Sequence, residues 1–263
     1  MTGAAVNIQR GFVPGPFGQI HFRLARPPDT AESHPPLVLC PPTPYSTQFF
    51  VPFMQHMARD RPVLAIDTPG FGGTDRPDAL LTIEDFARSA AAAIDATGWG
   101  DGSVDALGYH TGGLVACELA LLRPVRRLVL PGFPYFVGEA RDAAFRRSTV
   151  PDEIAEDGHH LAQNWETAMK PRAAGLSLER VQVHFADLMA AFPDAWRGFH
   201  AAFTYQSDLR LPGLAQPVLL ISIDGALKQE TAAAVPVFPD AQHVHLPQFR
   251  TGLFDLGAEV VAD

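Results

Sequence analysis

Residues Gly108-Tyr109-His110-Thr111-Gly112-Gly113 set a single imidazole in a run of small, turn-forming residues. Val104-Asp105-Ala106-Leu107 before them reads as a short strand. Val115, Leu119 and Leu122 after them recur at helical spacing and predict an amphipathic helix. A strand that turns into a helix this quickly needs glycine where a Cβ would clash, and it holds out the side chain at its tip. With His110 at that tip, the chemistry on offer is proton transfer. An imidazole with an ordinary pKa of about 6.5 serves as general acid or base near neutral pH. The helix N-terminus disfavours the imidazolium, so the neutral base is expected at pH 7.

Other titratable groups have plainer readings. Asp67 ends an apolar run and is expected to brace its own loop. His159 and His160 are neighbours on a predicted helix and diverge, which suits capping or solvent rather than a shared metal. His243 and His245 alternate on a strand, face one way and read as structural. Cys40 and Cys117 lack C-x-x-C spacing and read as buried thiols, not a zinc site or a disulfide. Gly70-Phe71-Gly72-Gly73 has the wrong spacing for a dinucleotide fingerprint. Neither a metal nor an organic cofactor is expected.

The elements that must position these groups alternate along the chain. A hairpin is predicted over Gly11–Ala25 and a proline-rich surface loop over Arg26–Pro36. Apolar strands follow at 37–40, 62–66, 104–107 and 127–130. Phe49, Phe50, Phe53, Met54 and Met57 mark a core helix. Thr82 with Asp85 marks a helix N-terminus, and that helix stops near Gly98. From 135 to 210 strand patterns vanish and helices are predicted at 140–147, 153–170, 178–191 and 195–205. A strand returns at 217–221, then a helix at 228–235, a strand at 243–246 and a closing helix from Leu256. Strands alternating with helices imply a mostly parallel, doubly wound α/β sheet with helices on both faces.

Composition bounds the partners. The chain has 263 residues, 47% hydrophobic and 19% charged, enough to bury a sizeable core. Its formal charge of −9 argues against a nucleic-acid partner. No apolar run approaches the roughly 20 residues that span a bilayer, and the N-terminus lacks a secretory pattern. A cytoplasmic protein with a small-molecule substrate and no membrane partner is expected, with a homodimer left open.

In this order the features resemble the α/β-hydrolase superfamily over nearly the whole chain. Gly108–Gly112 differs by one letter from the G-x-S-x-G nucleophile elbow. Asp67-x-x-Gly70-x-Gly72-x-x-Asp75 is similar to the loop after the fourth strand. The 135–210 insertion resembles the helical cap of many small members. The resemblance implies a core of residues 1–134 and 211–263 with a cap of residues 135–210. It also implies an acid at Asp224 and a histidine near 251, where this chain has Thr251. With His110 in place of the nucleophile, the Ser-His-Asp mechanism is not supported. The backbone N–H groups of Thr43 and Thr111 fall where the family's oxyanion donors lie; Pro41, Pro42 and Pro44 have none. Tyr45, Tyr109, Phe133, Tyr135 and Thr251 are expected to line a largely apolar substrate pocket.

The function expected is acid–base chemistry by His110 on a small carbonyl compound. Water-mediated ester, lactone or thioester hydrolysis fits, as does a lyase, dehydration or cyclisation step. The alternative is a ligand-binding pseudoenzyme that keeps the pocket without the chemistry.

Overall fold

The computed structural model of the chain describes residues 6–27, 34–100 and 102–262. Most of the proline-rich loop expected at 26–36 lies outside the described residues. Ile8–Gly15 (β1) and Gly18–Ala25 (β2) form the expected hairpin, which starts at Ile8 rather than Gly11. Leu37–Cys40 (β3), Val63–Ile66 (β4), Val104–Gly108 (β5), Val125–Pro131 (β6), Val218–Ile223 (β7) and Ala241–Leu246 (β8) complete one sheet. Its order is β1-β2-β4-β3-β5-β6-β7-β8. β2 runs antiparallel to both its neighbours, and the remaining pairs are parallel.

Helices fill the connections. Val51–Met57 (α1), Ile83–Ile94 (α2) and Thr111–Leu122 (α3) lie among the first strands. Between β6 and β7 come Gly138–Ser148 (α4), His159–Met169 (α5), Leu178–Ala191 (α6), Trp196–Thr204 (α7) and Ser207–Arg210 (α8). Lys228–Ala234 (α9) joins β7 to β8, and Leu253–Leu256 (α10) and Ala258–Ala262 (α11) follow. No helix among the described residues is long and apolar enough to cross a membrane.

β3 shows why the sheet is covered on both sides. All four of its residues are buried; Val38 and Cys40 enter one core while Leu37 and Leu39 enter the other. Side chains alternate across a strand, so a continuous apolar run requires apolar partners on both faces. The first core takes residues of α2 and α3, the second those of α1, α10 and α11. Cys40 and Cys117 are both buried free thiols. At the start of α2 the Thr82 hydroxyl accepts from the Asp85 N–H at 3.2 Å. The Asp85 carboxylate accepts from the Thr82 N–H at 2.9 Å, completing a capping box.

Two predicted helices differ from the structure. α3 is not amphipathic: every residue from Thr111 to Ala120 is buried, because it is wedged between the sheet, α2 and α7. Leu122, assigned to its apolar face, is half exposed. α5 begins at His159, not at residue 153, because Gly158 takes a left-handed conformation with φ 73° and breaks the helix there.

The inserted helices are tied down by polar contacts. Glu118 of α3 is wholly buried and accepts from the Tyr205 hydroxyl and from Nε and Nη2 of Arg210, each at 2.7 Å. Removing Arg210 would leave that carboxylate buried with one neutral partner. Arg210→Ala is therefore expected to cost about 3 kcal/mol in urea unfolding, since breaking a buried pair strands a charge. α6 rests on the loop after β3, where Asp187 accepts from the Ser46 N–H at 3.0 Å and from its hydroxyl at 2.7 Å. In α7, Gly198 sits against the side chain of Thr43.

Candidate active site

β5 ends at Gly108 and α3 begins at Thr111, so Tyr109 and His110 alone make the reversal. His110 takes φ 49°, ψ −122°, and it alone among the described non-glycine residues has a positive φ. Such backbone costs on the order of 1–3 kcal/mol and persists only where the surroundings hold it. Here the Tyr109 N–H donates to the Cys40 carbonyl at 3.2 Å. The Gly112 and Gly113 N–H groups donate to the carbonyls of Tyr109 and His110 at 2.9 and 2.8 Å. Gly112 is needed because a Cβ there would lie 2.0 Å from the Cys40 carbonyl oxygen.

The imidazole of His110 lies against the Tyr109 ring, with centroids 3.9 Å apart and planes 34° apart. Gly132, with φ 55°, passes beneath it; a Cβ there would meet His110 Cδ2 at 2.7 Å. Neither ring nitrogen has a hydrogen-bond partner among the described residues. Burial pushes the His110 pKa down to about 4, so the ring is neutral at pH 7. Desolvation supplies that neutrality, where the sequence argument invoked the helix end.

His110 opens onto a cavity of about 460 Å³. Tyr109, Ile223 and Leu227 give it apolar wall, and Asp224, Lys228, Arg250 and Thr251 give it polar groups. Of the predicted site residues, His110, Tyr109, Asp224 and Thr251 therefore meet at one place. Asp224 is half exposed and bonded to Lys228 Nζ at 2.7 Å, with His245 Nε2 at 3.4 Å. The Lys228 ammonium holds the Asp224 carboxyl below the usual range. No hydrogen bond joins Asp224 to His110 among the described residues, so the expected orienting acid is engaged elsewhere. The Thr251 hydroxyl donates to the Pro171 carbonyl at 2.8 Å.

Three predicted pocket residues lie elsewhere. Phe133 is fully buried in the first core, against Phe238, because the chain turns inward after β6. Tyr135 packs half-buried at the margin of that core. Tyr45 stands beside Phe49 and His184, with centroids 5.6 and 5.9 Å away. Thr43 and Thr111 are buried next to the elbow but do not line the cavity. Their N–H groups have no partner among the described residues, and the buried Thr43 hydroxyl is also unsatisfied.

Asp67 and the other histidines singled out in the sequence have structural partners. Asp67 accepts from His21 Nδ1 at 2.7 Å and from the N–H groups of Thr47 and Gly73 at 2.5 and 2.8 Å. This braces its loop. His243 Nε2 and His245 Nδ1 share the Ser222 hydroxyl, each at 2.9 Å. The exposed His159 pairs with Asp157 at 2.6 Å, and His160 stacks on Phe192. No three His, Cys, Asp or Glu side chains gather as a metal site among the described residues.

Residues 35–247 match a family model described as alpha/beta hydrolase fold. The chain belongs to the α/β-hydrolase fold family. Solved structures of that fold superpose over nearly its full length. A hydrolase from Pseudomonas aeruginosa is 19% identical, with 97% of this chain and 96% of its own covered and a TM-score of 0.77. The enol-lactonase from Burkholderia xenovorans is 16% identical, with 96% and 97% covered and a TM-score of 0.73. An epoxide hydrolase from Vigna radiata is 14% identical, with 97% and 95% covered and a TM-score of 0.78. Among curated proteins compared by sequence, none matches. At these identities the α/β-hydrolase fold is what is shared.

Sequence reasoning passed over two groups of residues around this α/β-hydrolase elbow. Lys228 and Arg250 line the cavity, and each had a signal: Lys228 sits four residues after Asp224, and Arg250 adjoins Thr251 in the expected site loop. His184 of α6 stacks on Phe49 at 4.9 Å, and Phe49 stacks on Tyr109 at 5.5 Å. Burial, with Arg180 beside it, lowers the His184 pKa to about 4. Nothing local in the sequence links position 184 to the elbow.

Proposed function

We propose that this chain is an α/β-hydrolase-fold enzyme in which His110, without a serine nucleophile, moves protons on a small carbonyl substrate. The observation that carries the reading is the strained backbone of His110, which presents a neutral, unpartnered imidazole to a cavity. Strain of this kind clusters at functional sites. Water-mediated hydrolysis of an ester, lactone or thioester is the simplest reaction. His110 takes a proton from water as the water oxygen bonds to the carbonyl carbon. The donors proposed for the resulting oxyanion are the N–H groups of Thr111 and Thr43, which are unpartnered beside the elbow among the described residues although neither residue lines the cavity as it stands. The imidazolium then returns the proton to the leaving oxygen or sulfur as its bond to carbon breaks. A lyase, dehydration or cyclisation step uses the same transfers without the added water. Residues 135–210 act as the cap over a core of 1–134 and 211–263, with α6 and α7 covering the loop that carries Thr43.

A resting pKa of about 4 does not disarm the base. The developing oxyanion is an opposite charge within a few ångströms, and it favours the imidazolium when the proton must be held. The sign of the pH dependence follows. The free ring is active when neutral, so kcat/KM should fall only as pH drops through about 4. Between pH 5 and 8 it should stay flat. A pH–rate profile on an ester or lactone substrate checks this, and an acidic limb centred near 6.5 would overturn the assignment.

A second reading has its own support. No side chain orients the His110 ring by a hydrogen bond among the described residues, and Asp224 is held by Lys228. A binding protein that retains the cavity without turnover fits that observation.

A further inference from the structure

The cavity at His110 carries an unbalanced charge, although the chain has 29 acidic against 20 basic residues. Besides the imidazole and the Tyr109 phenol, four polar side chains line it: Asp224, Lys228, Arg250 and Thr251. Three are engaged. Lys228 and Asp224 bind each other at 2.7 Å, and the Thr251 hydroxyl donates to Pro171. Arg250 has neither an ion pair nor a side-chain hydrogen bond among the described residues. It is the one cavity-lining cation in that state.

Its side chain is exposed at the cavity, and its backbone is anchored there. The Phe249 carbonyl accepts the Asp224 N–H at 2.9 Å, and the Arg250 carbonyl passes so near Gly225 that a Cβ there would lie 3.2 Å away. The loop after β8 is thus fastened to the loop after β7 beside the cavity. A guanidinium presents a planar fork that matches a carboxylate in two parallel hydrogen bonds. Tyr109, Ile223 and Leu227 supply apolar wall in the same cavity as the guanidinium and the imidazole.

We propose that this cavity selects carbonyl compounds that also bear a carboxylate, with Arg250 holding the carboxylate while the reacting carbonyl lies at His110. The proposal rests on the acid–base reading of His110 for the second half only; anion recognition by Arg250 stands separately.

The test uses binding, so it needs no known substrate. Phenylacetate and its neutral analogue phenylacetamide are titrated into the full chain at pH 7, followed by the imidazole NMR signals of His110. Phenylacetate is expected to bind about tenfold more tightly, the size of a charge-assisted contact at a partly solvated site. Arg250→Ala should reduce that ratio below about twofold, and Arg250→Lys should restore part of it. Equal binding of the two probes, no binding of either, or a preference that survives Arg250→Ala overturns the proposal. Phenylphosphonate binding more tightly than phenylacetate overturns the choice of carboxylate over phosphoryl groups. His110→Ala, followed by titration calorimetry because the imidazole reporter is gone, separates the two claims: the carboxylate preference should persist in it, whatever its effect on turnover.

Discussion

His110→Ala is expected to lower turnover of a carbonyl substrate by about 10²–10⁴-fold, the usual range for losing a positioned general acid or base. The fold should survive, because the residues that hold the elbow act through the backbone. Gly112 and Gly113 donate to carbonyls at positions 109 and 110, and the Cys40 carbonyl accepts from Tyr109 whatever side chain stands at 110. Ligand affinity should change far less than kcat, since Tyr109, Ile223 and Arg250 still line the cavity. The measurement is kcat beside a binding titration and a melting curve. Unchanged kcat with a genuine substrate would sink the acid–base role and leave the binding-protein reading. Lost kcat with retained binding would sink the latter.

The largest effect on stability is expected at Gly112→Ala. The added Cβ would lie 2.0 Å from the Cys40 carbonyl oxygen and 2.7 Å from that of Pro41. Both are backbone atoms at the end of β3, so neither can rotate away. Either α3 must lift from the sheet or β3 must shift, and both elements are buried. Overpacking usually costs about 1–3 kcal/mol where side chains can yield; with backbone on both sides the expected loss is above about 4 kcal/mol. Urea unfolding measures it. Gly213→Ala is the control, since its Cβ would meet only Leu121, at 3.7 Å; a change within about 0.5 kcal/mol is expected there. A similar loss at both positions would show that close approach at the elbow is not the cause.

Much of the architecture was legible because it depends on local patterns. The apolar run Leu37–Cys40 demands cover on two faces, and Thr82 with Asp85 marks a cap, whatever the rest of the chain does. The elbow was legible for the same reason: glycines at 108 and 112, two residues either side of His110, describe a backbone shape. What failed was anything set by distant segments. α3 looked amphipathic because Val115, Leu119 and Leu122 recur at helical spacing, yet Leu122 is half exposed while Glu118 is buried against Tyr205 and Arg210 far along the chain. Phe133 looked like pocket lining because it follows a strand end, but the direction in which a turn points depends on what packs above it. Asp224 lines the cavity, and its pairing with Lys228 has an i, i+4 spacing that can be read from the sequence.

The interval between β6 and β7 has a consequence for biosynthesis. β6 ends at Pro131 and its next partner, β7, begins at Val218. As the chain leaves the ribosome, the strands through β6 can assemble while residues 132–217 are still being made. During that time β6 is an unprotected sheet edge beside a half-covered apolar face, the kind of edge that recruits strands from other chains. The hazard lasts until β7 docks and α8 delivers Arg210 to Glu118. Exposure of the β6 edge for want of β7 is therefore confined to one window of translation, set by the length of the insertion and not by the stability of the finished protein.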